Sequence, residues 1–327
     1  MGVDKIGKKN VLRKSKEVSG VKIKGYDFNS KLDYSKLISS YGSTGFQASN
    51  LSKAVEITNE MIKNNSTIFL SYTSNIVSSG LRDIVRYLVQ NKKVHILITT
   101  AGGIEEDFIK CLGDFVLGDF RADGSDLRKR GINRIGNIFV PNNRYVEFEK
   151  FVLPVLESMY NEQKKTGKLF TGSDLIMKLA EKVNNKESIY YWAWKNSIPV
   201  FCPAITDGSL GDMIYFFKHR HPDFVLDTLE DAKRLNDTTI GLKKAGAIIL
   251  GAGIVKHATL NALMMRNGAD YVVYINTEQE FNGSDAGALP EEAVSWGKVL
   301  PEAKRVKVYG DASIIFPLLV AESFSRK

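Results

Sequence analysis

From residue 66 onward the chain repeats one pattern: a short apolar run, a turn of small or polar residues, then a stretch with amphipathic helical spacing. Six runs read as strands, at residues 67–72, 94–99, 199–202, 247–250, 271–275 and 306–309. The first leads through Thr73-Ser74-Asn75 into a helix from about Ser79 to Gln90. The second leads through Thr100-Ala101-Gly102-Gly103 into a helix from Glu105. Strands that are mostly apolar, rather than strictly alternating, belong to a parallel sheet covered on both faces. Helices of about a dozen residues between them make right-handed crossovers.

The pattern predicts an α/β fold, a doubly wound, mostly parallel, Rossmann-like sheet. Between about Lys129 and Trp194 a helical insertion is expected, with helices near 159–165 and 173–183 and Ser173 as the N-cap of the second. Within it, Tyr190, Tyr191, Trp192 and Trp194 form an aromatic cluster whose expected role is core packing. Ligands of such folds bind beyond the carboxyl ends of the strands. Nearly every predicted strand here ends in Gly, Ala, Ser, Thr, Asn or Asp, residues that admit a close backbone and hydrogen-bond to a ligand. Several such ends in one chain predict a substantial crevice.

The chain has 327 residues, 43% hydrophobic and 25% charged, which is ordinary globular composition. Residues 26–327 are expected to form a single domain. No apolar run is long enough for a membrane helix, and residues 1–24 are basic without the apolar core of a signal peptide. Cys111 and Cys202 are far apart and lack metal-ligand spacing, so neither a disulfide framework nor a metal site is predicted. A cytoplasmic protein is expected. The net charge of +8 is partly local: Lys5, Lys8, Lys9, Arg13, Lys14, Lys16, Lys22 and Lys24 crowd the N-terminus. Residues 1–25 therefore read as a basic, mobile arm. No nucleic-acid-binding motif accompanies that charge.

The chemistry concentrates in a few places. The stretch 99–103, followed by Glu105 and Glu106, is a strand–glycine turn–helix junction whose N–H groups suit a phosphate. Gly251-Ala252-Gly253 is a second such turn after an apolar strand, a truncated relative of the dinucleotide fingerprint. With Ser74-Asn75 and Gly310-Asp311-Ala312, these turns suggest a dinucleotide stretched across the sheet. Asp207 and Asp212 bracket a glycine turn, where they either cap a helix or face the crevice. His257 falls just after the second glycine turn and is a candidate for proton transfer. The densest group is Gly283-Ser284-Asp285 with Glu292, Trp296 and Lys298. Carboxylates beside an indole suit an organic cation, and a lysine beside them could act as a nucleophile toward an imine. Glu292 and Trp296 are four apart and would share a helix face.

Residues 74–80, 99–107, 203–213, 281–288, 292–298 and 309–313 resemble signatures of the deoxyhypusine synthases, and the likeness runs from about Gly25 to Lys327. The resemblance implies an NAD-dependent transfer of the aminobutyl group of spermidine. An imine on an enzyme lysine carries the group to one lysine of the translation factor 5A precursor, as the first step of hypusine formation. It implies that Lys298 is the covalent lysine and that His257 assists deprotonation of spermidine. It also implies that Glu105, Glu106, Asp212, His257, Gly283, Ser284, Asp285, Glu292 and Trp296 bind spermidine. For NAD it implies Ser74, Asn75, Ser78, Thr100, Ala101, Gly102, Glu106, Asp207, Thr277, Asp311 and Ala312, beside the turn of Gly251, Ala252 and Gly253. A homotetramer with active sites between paired subunits is implied as well. Ala252 stands where glycine is expected, Asn282 where aspartate is expected and Ala286 where serine is expected. Homospermidine synthase, which passes the same group to putrescine, and a regulatory paralogue are the alternative readings; Lys298 speaks against the second.

Overall fold

The computed structural model describes residues 2–325. Its strands are β1 (Thr67–Tyr72), β2 (Ile96–Thr99), β3 (Val116–Leu117), β4 (Ile132–Ile135), β5 (Ile138–Pro141), β6 (Val200–Phe201), β7 (Ala245–Leu250), β8 (Ala269–Asn276) and β9 (Val299–Tyr309). Six of them make one sheet in the order β6-β2-β1-β7-β8-β9, and every pairing in it is parallel. The chain lays down β1, steps outward to β2 and β6, then returns to the other side of β1 and steps outward again. The order therefore reverses between β1 and β7, the switch point at which doubly wound sheets bind ligands.

The burial pattern shows why these runs became strands. Successive side chains point to opposite faces. Ile68 and Leu70 enter one core and Phe69 the other; Leu97 enters the first, Ile96 and Ile98 the second. In β7, Ile248 and Leu250 face one side, Ala247 and Ile249 the other. All are essentially solvent-free, so both faces demand apolar residues and no alternation survives in the sequence. The first core is closed by helices Phe46–Lys63, Leu81–Gln90, Ala101–Leu112 and Ala312–Glu322, and the second by Thr228–Thr239 and Ile254–Met264. Truncating Leu70 to alanine would cost about 2–5 kcal/mol.

All six predicted strands are present. β9 is much longer than its predicted piece, because residues before Val306 pair irregularly: Ala269 lies opposite Val299, but Tyr271 opposite Lys304. The insertion is helical, with Asn143–Thr166, Gly172–Val183 and Ile189–Asn196, but it opens with strands. β3, β5 and β4 form a small antiparallel sheet, its β4–β5 hairpin turning at Gly136. Their residues are mostly exposed or half-exposed and too few for a periodic signal. The N-cap of Gly172–Val183 is Thr171, not Ser173: Thr171 Oγ1 accepts from Asp174 N at 3.1 Å, and Asp174 returns the bond to Thr171 N. Ser173 Oγ instead donates to Val200 O. The aromatic cluster packs as expected, with Tyr190 fully buried. Within the basic N-terminal stretch, Val3–Val11 forms a helix that buries none of its residues. No helix among the described residues is long and apolar enough to cross a membrane.

Candidate active site

The carboxyl ends of β1, β7, β8 and β9 open onto a cavity of about 480 Å³. Asn75, Gly251, Ala252, Thr277, Asp311 and Ala312 line it, all of them expected there from sequence. Helices Ser74–Ser78 and Ala312–Glu322 begin on its rim. Gly251 has φ +84, and a Cβ there would lie 2.5 Å from Thr73 Oγ1, so neither the backbone nor the space admits a side chain. Asn276, which sequence reading passed over, fixes the same turn: its Nδ2 donates to Gly251 O and its Oδ1 accepts from Glu278 N. The small sheet contributes too, since Ile135, Gly136, Asn137 and Ile138 form one wall. Gly253, with φ +67, starts helix Ile254–Met264 but does not line this cavity.

Next to β2, the predicted turn proves to be helix already. Thr100 is the N-cap and Ala101 the first residue of helix Ala101–Leu112. Thr100 Oγ1 is buried and makes no hydrogen bond. Gly102 lies against Ser74, where a Cβ would come within 2.6 Å of the Ser74 Cβ. Starting the helix early buries Glu105 and Glu106 at 6% exposure each. Ser78 Oγ donates a short hydrogen bond to Glu106 Oε2. Burial, and then neighbouring Glu105, push the Glu106 carboxyl up to about 8 against the hydrogen bond from Ser78. Burial raises Glu105 as well. Glu105 Oε2 accepts from Leu210 N at 2.8 Å, so Glu105 caps helix Ser209–Arg220 from outside. Asp207 does not cap this helix, and Asp212 sits in its first turn; both carboxylates act on Glu105 by charge.

Lys298 lies elsewhere. It immediately precedes β9, and its backbone O accepts from Ala269 N at the start of β8, so its backbone sits at the amino edge of the sheet. Its side chain shares a small cavity of about 30 Å³ with Lys256, Leu260, Asp285, Glu292, Ala293 and Trp296. Leu260 and Ala293 belong to the second core, so this pocket lies on a face of the sheet and not along the row of strand ends. Lys298 Nζ is 5.7 Å from the Trp296 ring centre. Glu292 lies in the short helix Pro290–Ser295, and Trp296, just past it, is 66% exposed. The Asp285 Oδ2 is buried without a hydrogen-bond partner. Gly283 takes φ +72, and Ser284 N donates to Asn282 Oδ1, so asparagine holds this turn where aspartate was expected. His257, in the first turn of helix Ile254–Met264, is exposed and pairs through Nδ1 with Asn261 Nδ2 at 3.1 Å.

One residue that sequence reading left unused dominates this pocket. Lys256 is 1% exposed, and burial lowers its amine to about 8. Its Nζ donates to the main-chain oxygens of Asp285 and Ala288 and lies 4.8 Å from the Tyr274 ring centre. A lysine in the first turn of a helix carries no sequence signal of burial. The proposed spermidine residues thus fall into two groups, Glu105, Glu106 and Asp212 by β2 and β6, and Gly283, Ser284, Asp285, Glu292 and Trp296 on the Lys298 side, while His257 lines neither cavity. Among the described residues no side-chain hydrogen bond or ion pair joins them.

The deoxyhypusine synthase family model matches residues 36–323. The deoxyhypusine synthase of Senecio vernalis is 50% identical, over 97% of this chain and 93% of its own. The homospermidine synthase of Senecio vulgaris is 49% identical, over 97% and 94%. A crystal structure described as a candidate deoxyhypusine synthase of Entamoeba histolytica superimposes with a TM-score of 0.68 at 33% identity, covering 93% of this chain and 97% of that one. With a doubly wound parallel sheet and matches across nearly its whole length, this chain belongs to the deoxyhypusine synthase family of transferases.

Proposed function

We propose that the chain is a deoxyhypusine synthase, transferring the 4-aminobutyl group of spermidine through Lys298 to a lysine of the translation factor 5A precursor. The observation that carries this reading is the pocket in which Lys298 meets Asp285, Glu292 and Trp296. An indole face and carboxylates suit an alkylammonium chain. The unpartnered Asp285 Oδ2 is an acceptor waiting for a donor from a ligand. Once spermidine is oxidised to an imine, the neutral Lys298 amine adds to the imine carbon and 1,3-diaminopropane leaves. The aminobutyl group then remains on Lys298 as an imine, ready for a second amine. His257 is the group that takes a proton from spermidine.

The cavity at the switch point fits a dinucleotide. Asn75, Gly251, Ala252, Thr277, Asp311 and Ala312 would hold it. Ser74, Ser78, Thr100, Ala101, Gly102, Glu106 and Asp207 do not line this cavity; in this reading they extend the site toward β2, where Gly102 lies against Ser74 and Ser78 bonds Glu106. The helix starts on its rim offer N–H groups to phosphates, and Asp311 and Glu278 offer acceptors to ribose hydroxyls. NAD bound there would supply the oxidation and final reduction that the transfer requires. Completion of the pocket between subunits of a homotetramer is part of this reading. The separation of the two carboxylate groups within one chain supports it.

Incubation with labelled spermidine and NAD, borohydride reduction and peptide mapping tests the reading. Label on Lys298 is the expected result; label on another residue, or none, overturns the covalent role. Offering the factor 5A precursor and putrescine together separates the second reading, favoured by relatives such as that of Senecio vulgaris. Label passing only to putrescine would make this a homospermidine synthase.

A further inference from the structure

We propose that Lys256 and Lys307 are positioning residues that clamp residues 277–288 into one unit, and that this unit couples occupancy of the dinucleotide cavity to occupancy of the Lys298 pocket. The coupling rests on the function proposed above; the clamp does not. Lys256 reaches the segment from helix Ile254–Met264 and Lys307 from β9. Lys307 is 8% exposed, and its Nζ donates to Glu278 O and, at 2.7 Å, to Gly287 O. Lys256 donates to Asp285 O and, at 2.8 Å, to Ala288 O. Among the described residues neither lysine forms an ion pair, so each buried ammonium is satisfied mainly by main-chain oxygens of this segment. Burying an amine costs free energy that only such bonds offset.

The segment has little else to hold it. It belongs to no strand, and its internal bonds are short-range turns such as Gly283 N to Glu280 O and Gly287 N to Ser284 O. Beyond the lysine bonds, the hydrogen bonds from the segment to the rest of the described residues are Glu278 N to the neighbouring Asn276 Oδ1 and a 3.5 Å contact from Gln279 Nε2 to Tyr309 OH. Its two limbs press together: a Cβ on Gly287 would fall 1.8 Å from Gln279 O. One limb, with Thr277 and Glu278, lines the dinucleotide cavity. The other, with Asp285 and Ala288, lines the Lys298 pocket. Lys307 bonds both limbs, so displacement at one end is passed to the other. Because Lys256 holds the carbonyl of Asp285, the carboxylate is oriented without being consumed.

The test uses the full chain with Lys256→Met and Lys307→Met, which keep length and remove the donors. Lys307→Gln serves as a second variant where methionine impairs folding. Without ligands, amide hydrogen exchange across residues 279–288 is expected to rise tenfold or more in the variants, while β1 and β7 keep their protection. NAD affinity is then titrated with and without saturating spermidine. In the native chain spermidine is expected to tighten NAD binding about tenfold, and in the Lys307 variants by no more than about twofold. Unchanged exchange in all variants overturns the clamp. An undiminished tightening in the Lys307 variants overturns the coupling. A native chain that binds neither ligand overturns the functional reading and the coupling with it, and the exchange result still decides the clamp.

Discussion

Two acidic groups in this chain stand in opposite conditions. Glu105 and Glu106 project from a helix pinned between sheet and insertion, and both are buried and hydrogen-bonded. Asp285, Glu292 and Trp296 are carried by a loop and a helix of six residues, with Glu292 exposed and Trp296 two-thirds exposed. The first group is finished by the packing of its own chain, and its cost is visible in carboxyls driven upward by burial. The second is a half-open surface around a cavity of about 30 Å³, too small for a polyamine without rearrangement or a covering partner. Under the proposed function, the contrast would put preorganised electrostatics on the buried side and the moving, covalent part of the reaction on the open side.

The largest effect should come from the open side. Lys298→Ala is expected to lower kcat by at least roughly a thousandfold and to abolish borohydride trapping. Retention of full turnover would remove the nucleophile from the proposal. Glu106→Gln addresses the buried side and should divide stability from function. With its carboxyl near 8, the folded chain keeps a proton that the unfolded chain loses above its ordinary value near 4.5. The stabilisation present at low pH is therefore lost as pH rises through about 8. Thermal unfolding should show Glu106→Gln gaining on the native chain by roughly 2–4 kcal/mol at pH 9 and hardly at all at pH 5. Turnover with spermidine should fall in the same variant. A stability gap independent of pH would mean that Glu106 is not held protonated by burial.

Trp296→Ala should raise the KM for spermidine by about 2- to 30-fold, the range of a cation–π contact of about 0.5–2 kcal/mol. Its unfolding midpoint should scarcely move, because the indole is mostly solvated. A large loss of stability would show that the indole is covered in the working assembly. The smallest effect belongs to the dinucleotide cavity: Ala252→Gly removes one methyl from its lining and should tighten NAD by no more than about fourfold. Titration of the cofactor reads this directly, and weaker binding would show that the methyl makes a favourable contact.

Legibility followed burial and periodicity. The central strands were plain because both their faces are covered, which forces mostly apolar runs, with Lys307 of β9 as an interruption. The switch-point cavity followed, because its lining consists of the turns directly after those runs. The hairpin of β4 and β5 was missed, since four residues per strand, of which Val140 alone is buried, give no pattern to read. Capping of Ser209–Arg220 was one of two roles open to Asp207 and Asp212, whereas the acceptor is Glu105, more than a hundred residues earlier. Lys256 was passed over because a lysine beside a glycine turn is ordinarily a surface residue.

By itself the sequence determined the sheet, its covered faces and the small-residue rim, and it carried the residues proposed for a polyamine and a dinucleotide. These are local properties, fixed by side-chain size, polarity and spacing. Only the tertiary structure decided which carboxylates are buried and pushed upward by that burial. It also decided that Lys298 opens on a face of the sheet, and that two lysines clamp the segment between the two sites. Those outcomes depend on which distant main-chain groups meet a side chain and how much water is excluded there, and neither is written in local pattern.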